Sequence, residues 1–132
     1  MKYVCLLVMS CVLLSCSSRL GGEISNKDFV IQVQKKKISQ DGTTEYMVRV
    51  FPTLTATPEL STKMQYQADS CYYLGHGGIK TYPEEIIPVA GGVKNCFEYV
   101  LIFAGDASSK TADIFFFNDK YLTGKTYQLS LR

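Results

Sequence analysis

The sequence predicts an all-β fold, an antiparallel β-sandwich of about seven to eight strands. Three observations predict it. Apolar and polar residues alternate over short runs, with Phe29, Ile31 and Val33 on one parity early in the chain and Tyr127, Leu129 and Leu131 on one parity at its end. That two-residue period belongs to strands covered on one face. Turn residues punctuate the chain at close intervals, at Asp41-Gly42, Gly75-His76-Gly77-Gly78, Gly91-Gly92 and Asn118-Asp119. Finally, no long helical period runs through residues 28–132.

Taken in order, residues 28–38 form a strand whose partner is residues 45–51, EYMVRVF. Asp41-Gly42 supplies the turn between them, because glycine adopts positive φ without steric cost. Pro52 ends the second strand. The run Lys35-Lys36-Lys37 reads as protection of a hairpin end against pairing with another chain. Residues 52–61 form a loop in which Thr57-Pro58-Glu59 caps a single helical turn, proline being favoured at the first helical position. Residues 63–74 read as one long strand, with Met64, Tyr66, Ala68, Tyr72 and Leu74 on one parity. Gly75-His76-Gly77-Gly78 turns it into a short strand over 79–82, broken by Pro83. Residues 84–90, EEIIPVA, fit either a strand or a helical turn. Residues 96–104, CFEYVLIFA, are the most apolar of the strands and make the central one. A polar loop, GDASSK over 105–110, precedes a buried strand over 112–117, and residues 126–132 close the sheet. Strand number and turn spacing predict an immunoglobulin-like or transthyretin-like arrangement.

The first residues are of another kind. One lysine, Lys2, precedes eleven almost wholly apolar residues, VCLLVMSCVLL over 4–14. As a helix this run is about 16 Å long, half the roughly 30 Å of a bilayer core, which is the length of the h-region of a secretory signal. It ends in Leu13-Leu14-Ser15-Cys16. This ending resembles the lipobox of bacterial lipoproteins, with leucine three residues before the cut, a small residue just before it and cysteine just after. The resemblance implies that Cys16 carries a diacylglyceryl group, that residues 1–15 are removed, and that the new amine is acylated. It thus implies a covalent lipid, and no other cofactor is expected. A single acyl chain binds a bilayer only marginally, whereas two or three hold stably. Ser17, not aspartate, follows the cysteine, and the sorting rule of enterobacterial lipoproteins then implies the outer membrane. Residues 16–27 are expected to be the lipidated cysteine and a flexible tether, and residues 28–132 the sandwich.

Removing the leader leaves 117 residues, one domain's worth, with 13 basic and 12 acidic side chains. Nucleic-acid binding would require a basic stripe, and none is expected as a partner. Of the five cysteines, Cys5 and Cys11 leave with the leader and Cys16 takes the lipid. Cys71 and Cys96 remain, a candidate disulfide in an oxidising compartment.

Chemistry-bearing patterns are sparse. His76 is the only histidine, and it has no H-E-x-x-H, C-x-x-C or G-x-S-x-G motif to work with. Glu84-Glu85 is adjacent in sequence, whereas a glycosidase needs carboxylates across a cleft. Tyr66, Tyr72, Tyr73, Tyr82 and Tyr99 are dense enough for a ring platform, although strand tyrosines usually pack on one another. No enzymatic role is expected. The expectation is a lipoprotein that docks another envelope protein through loops at Gly75, His76, Gly77 and Gly78 and at Gly105, Asp106, Ser108 and Lys110. Size and layout resemble the small sandwich lipoproteins of secretion machines such as type VI systems. Two other functions fit the same features: capture of a glycan or peptide on the tyrosines, and inhibition of a periplasmic enzyme by an immunity-type protein.

Overall fold

The computed structural model describes residues 21–36, 40–105 and 114–131. Two antiparallel sheets face each other, as the alternation predicts. The first holds five strands, β1 (Gly21–Ser25), β2 (Phe29–Lys35), β3 (Thr44–Pro52), β6 (Glu85–Val89) and β7 (Phe97–Phe103), in the order β1-β2-β3-β7-β6. The second holds four, β4 (Tyr72–His76), β5 (Ile79–Thr81), β8 (Ile114–Asn118) and β9 (Thr126–Leu129), in the order β5-β4-β8-β9. Among the described residues one helix, α1 (Pro58–Tyr66), connects the sheets between β3 and β4.

The inward parity of each strand builds the core. Across the ladder Phe29, Ile31 and Val33 of β2 stand opposite Pro52, Val50 and Val48 of β3, Tyr46 follows on the same inward parity, and Phe97, Tyr99, Leu101 and Phe103 continue that face on β7. Aromatic rings bridge the sheets at both ends. At one end Tyr46 lies against Phe103 and Phe115, with centroids 5.4 and 5.7 Å away. At the other, Phe29 meets Phe117 and Tyr127 edge-on at 5.5 and 5.0 Å. These contacts fix the orientation of the sandwich. The first end carries the Gly42 turn, the 76–79 turn, Gly105 and the start of β1. The second carries the turn after β1, the 53–57 loop and the 90–96 loop.

Two elements differ from the sequence reading. Residues 63–74 are not one strand: α1 occupies the first part and β4 starts only at Tyr72. The helix is set by its start. Thr57 Oγ1 accepts from Leu60 N at 3.2 Å, Pro58 fills the first turn, and Glu59 pairs with Lys63 at 2.9 Å. The parity shared by Met64, Tyr66 and Ala68 is an accident of spacing: Met64 and Ala68, four residues apart, are the buried pair, while Tyr66 is exposed. Tyr99 Oη donates to the Met64 carbonyl and ties the helix end to β7.

The expected tether is also shorter, because residues 21–25 form β1. Its alternation is weak, and tertiary partners make it a strand. It pairs with β2 from Gly21↔Gln34 to Ser25↔Val30, and Gln32 Nε2 donates to Glu23 at 2.8 Å. Gly22 approaches β9's continuation so closely that a Cβ there would lie 3.0 Å from the Ser130 carbonyl and 3.2 Å from Leu131. The ambiguous 84–90 segment resolves as β6, an edge strand, where Pro88 is tolerated.

Cys71 and Cys96, the candidate disulfide, are two free thiols. Cys71 is buried just ahead of β4 in the second sheet, beside Met64, Ala68 and Tyr99, whereas Cys96 stands just ahead of β7 in the first sheet. Burial pushes both thiols above the usual range.

Burial also acts on two tyrosines. Tyr72 and Tyr99 are held protonated by loss of solvent, each well above the ordinary phenol value. In the unfolded chain a phenol ionises near pH 10. A folded-state value raised above the unfolded one contributes stability that is complete below that pH and is lost as the pH climbs toward the folded value. We expect stability to fall by about 1.4 kcal/mol per pH unit for each buried phenol above pH 10. Urea midpoints at about pH 9 and pH 11 check this, and Tyr99→Phe should remove its share of the slope.

Candidate functional site

Those of the predicted loop residues that are described, Gly75, His76, Gly77, Gly78 and Gly105, lie toward one end of the sandwich. Gly75 ends up inside β4, and His76-Gly77-Gly78 makes the turn into β5, with φ of +55° and +84° at the two glycines. Gly105 lies at the same end, packed on the Gly42 turn with a Cβ position only 3.2 Å from the Gly42 carbonyl. Asp106, Ser108 and Lys110 lie outside the described residues. Gly75 is required by packing: a Cβ there would sit 2.4 Å from the Phe116 ring. His76 is exposed, and among the described residues no cluster of histidine, cysteine, aspartate or glutamate is arranged to hold a metal ion.

The tyrosines divide. Tyr72 and Tyr99 belong to the core. Tyr73 stacks on Phe116 at 4.9 Å on the outer face of the four-stranded sheet, Tyr82 covers it at 5.5 Å, and Lys80 Nζ stands 5.0 Å above the Tyr73 ring. The Tyr73 face is therefore taken by its own neighbours rather than presented to a ligand.

The surface that the sequence reading missed is the outer face of the five-stranded sheet. Register places Met47 of β3 opposite Val100 of β7, and Val100 opposite Ile87 of β6. These three side chains form one outward-facing rank. Ile102 and Val89 stand in the neighbouring ranks, and Val30 is paired with Phe51 farther along the same face. Ile87 is 39 % exposed and the others are half-buried. Charged residues bracket the apolar rank. Glu45 and Glu85 flank Ile102 on one side, and Arg49 pairs with Glu98 at 3.5 Å on the other. An apolar centre with a charged rim is the composition of a protein-binding patch.

Beside this rank lies an open groove of about 470 Å³, lined by Gly21, Gly22, Glu23, Gln32, Met47 and Arg49. Gly21, on the outer parity opposite Gln34, adds no side chain to its wall. Arg49, Glu23 and Gln32 offer donors and acceptors along its length. The signal for this face was present in CFEYVLIFA, since a strand apolar on both parities has something apolar to do on both faces.

A second apolar feature lies at the far end. Asn95, held at φ +53°, donates from Nδ2 to the Pro52 and Leu54 carbonyls at 2.9 and 3.2 Å and accepts from Ala56 N at 3.0 Å. It locks the 90–96 loop to the 53–57 loop and leaves Leu54 and Val93 exposed at 82 % and 61 %.

No helix among the described residues is long and apolar enough to cross a membrane. Comparison of the chain with protein-family models, with curated proteins and with solved structures gives no match.

Proposed function

We propose that the chain is a non-enzymatic docking module of the cell envelope, anchored to the outer membrane by lipid on Cys16. In this reading it holds a partner protein of an envelope assembly, such as a secretion apparatus, on the outer face of its five-stranded sheet. The observation that carries the docking half is the Met47–Val100–Ile87 rank on a solvent-facing surface, bracketed by Glu45, Glu85 and the Arg49–Glu98 pair. A sheet face is rigid, so a partner meets a preformed surface and little ordering opposes binding. The lipobox-like Leu13-Leu14-Ser15-Cys16 carries the anchoring half. The mechanism is local concentration: lipid confines the module to one membrane face, where a modest patch suffices to hold a partner confined to the same face.

Photo-crosslinking in cells tests the reading. A crosslinking residue at Val100 is expected to give one discrete adduct, and the same residue at Gln128, on the outer face of the other sheet, none. Cys16→Ala should release the protein from the membrane fraction and remove the Val100 adduct with it. A membrane-bound Cys16→Ala chain, or equal adducts from both positions, would count against the proposal.

A further inference from the structure

We infer that the end of the sandwich carrying the 76–79 turn rests on the headgroup layer of the bilayer that holds the anchor. This orientation rests on the lipid anchor at Cys16 proposed above. It follows from where β1 begins. Gly21 pairs with Gln34, near the end of β2. The same end holds Lys35 and Lys36, the Gly42 turn and, through the Tyr46–Phe115 contact and the Gly75↔Ile114 pair, the 76–79 turn of the other sheet. The chain therefore enters the fold at this end.

Reach then decides the orientation. Five Cα–Cα steps separate Cys16 from Gly21, and fully extended they span at most about 18 Å. The nine residues of β3 run the length of the sandwich, about 30 Å at 3.3 Å per residue. A link shorter than the body it holds cannot invert that body, so the end that carries Leu54 and Val93 cannot be the end that rests on the membrane. The near end is suited to its neighbour. Ile79 is 69 % exposed at the turn, and Lys80 follows it. The exposed apolar tip suits the boundary between headgroups and acyl chains, while Lys80 lays its amine 5.0 Å over the Tyr73 ring on the sheet face behind it. Asp41, Glu45 and Glu84 stand at this end as well, so its charge is mixed and reach, not net attraction, sets the orientation.

The consequence is a change of role for the loop at Gly75, His76, Gly77 and Gly78. It is a foot on the membrane, and it leaves the sheet face and the Leu54–Val93 end free for a protein partner.

The test uses the full-length protein, purified from a bacterium that matures lipoproteins and reconstituted in vesicles of phosphatidylcholine with a minority of phosphatidylglycerol. Ile79→Cys and Val93→Cys, each with Cys96→Ser, carry one fluorophore, and a headgroup-labelled lipid is the acceptor. Lys80→Cys serves as a second near-end position should Ile79→Cys fold poorly. Energy transfer is expected to be several-fold greater from residue 79 or 80 than from residue 93. Acylated protein with equal transfer from both ends, or more from residue 93, overturns the orientation alone. Intact mass without an acyl group on Cys16 overturns the anchor and the orientation together.

Discussion

Phe117→Ala is expected to lower the stability of the domain by about 3–5 kcal/mol. Phe117 is almost wholly buried on β8, where the sheets are bridged by rings. It meets Phe29 of the facing sheet edge-on at 5.5 Å, stacks on Tyr72 at 5.4 Å and lies 6.3 Å from Tyr127. Removing the ring takes an anchor from three neighbours on three strands, β2, β4 and β9, and the close-packed surroundings collapse only partly into the space. A domain of this size holds roughly 5–15 kcal/mol in total, so this one change consumes a large share of it. The urea midpoint should drop by several tenths of its value while the slope stays constant. Phe117→Leu, which keeps most of the volume, should lose less than half as much. A loss under about 1 kcal/mol for the alanine variant would show that the two sheets are not held together by this ring cluster.

Much of the framework was legible because local and tertiary signals agree there. In β2 and β9 the apolar parity, the turn residues and the pairing all point the same way. Residues 84–90 became an edge strand with Pro88 inside it, as the tolerance of edges for proline allows. Where the reading failed, tertiary contacts outvoted local pattern. β1 is two glycines and one apolar side chain, and it forms because β2 supplies a ladder and Leu131 a close neighbour. The 63–74 stretch mimicked a strand because residues at even positions happened to be apolar, while the Thr57 cap and the Glu59–Lys63 pair selected a helix. The candidate site was illegible for a different reason. Met47, Val100 and Ile87 are far apart in sequence and become one rank only through the register of β3, β7 and β6. Cys71 and Cys96 show the converse: an even count invited a bridge, and the fold leaves two free thiols.

The orientation of the fold also bears on which surface matters. Loops are the usual carriers of function because a rigid scaffold presents them, and that expectation favoured the glycine-rich turn at His76. The lipid anchor proposed on Cys16 would change the choice. With so short a link it would assign the nearest loops to the membrane and leave to the partner the rigid sheet face, the surface where apolar side chains stand outward in register.

Asp119→Ala is expected to lower stability by about 3 kcal/mol, although no apolar contact is lost. Asp119 is buried at the end of β8, and its carboxylate organises the 119–125 loop. One oxygen accepts from Tyr121 N at 3.1 Å and Leu122 N at 3.0 Å, and the other accepts from Thr123 N and Thr123 Oγ1, both at 2.6 Å. Asp119 N in turn donates to the Lys125 carbonyl at 2.9 Å, closing the loop on itself. Alanine would leave three backbone donors without an acceptor in a part-buried turn, at about 1 kcal/mol or more each. The loop also delivers β9. Tyr127 Oη donates to Thr123 Oγ1 at 3.0 Å, and the Tyr127 ring meets Phe29. Loosening the loop thus reaches the same ring cluster that Phe117 serves. Two measurements separate the causes. Asp119→Asn keeps one carbonyl acceptor and should fall between wild type and alanine. Amide hydrogen exchange should quicken at residues 121–123 and along β9 in the alanine variant, and stay near wild type in β2 and β3. Uniform quickening across both sheets would mean that the carboxylate acts on the whole fold and not through its loop.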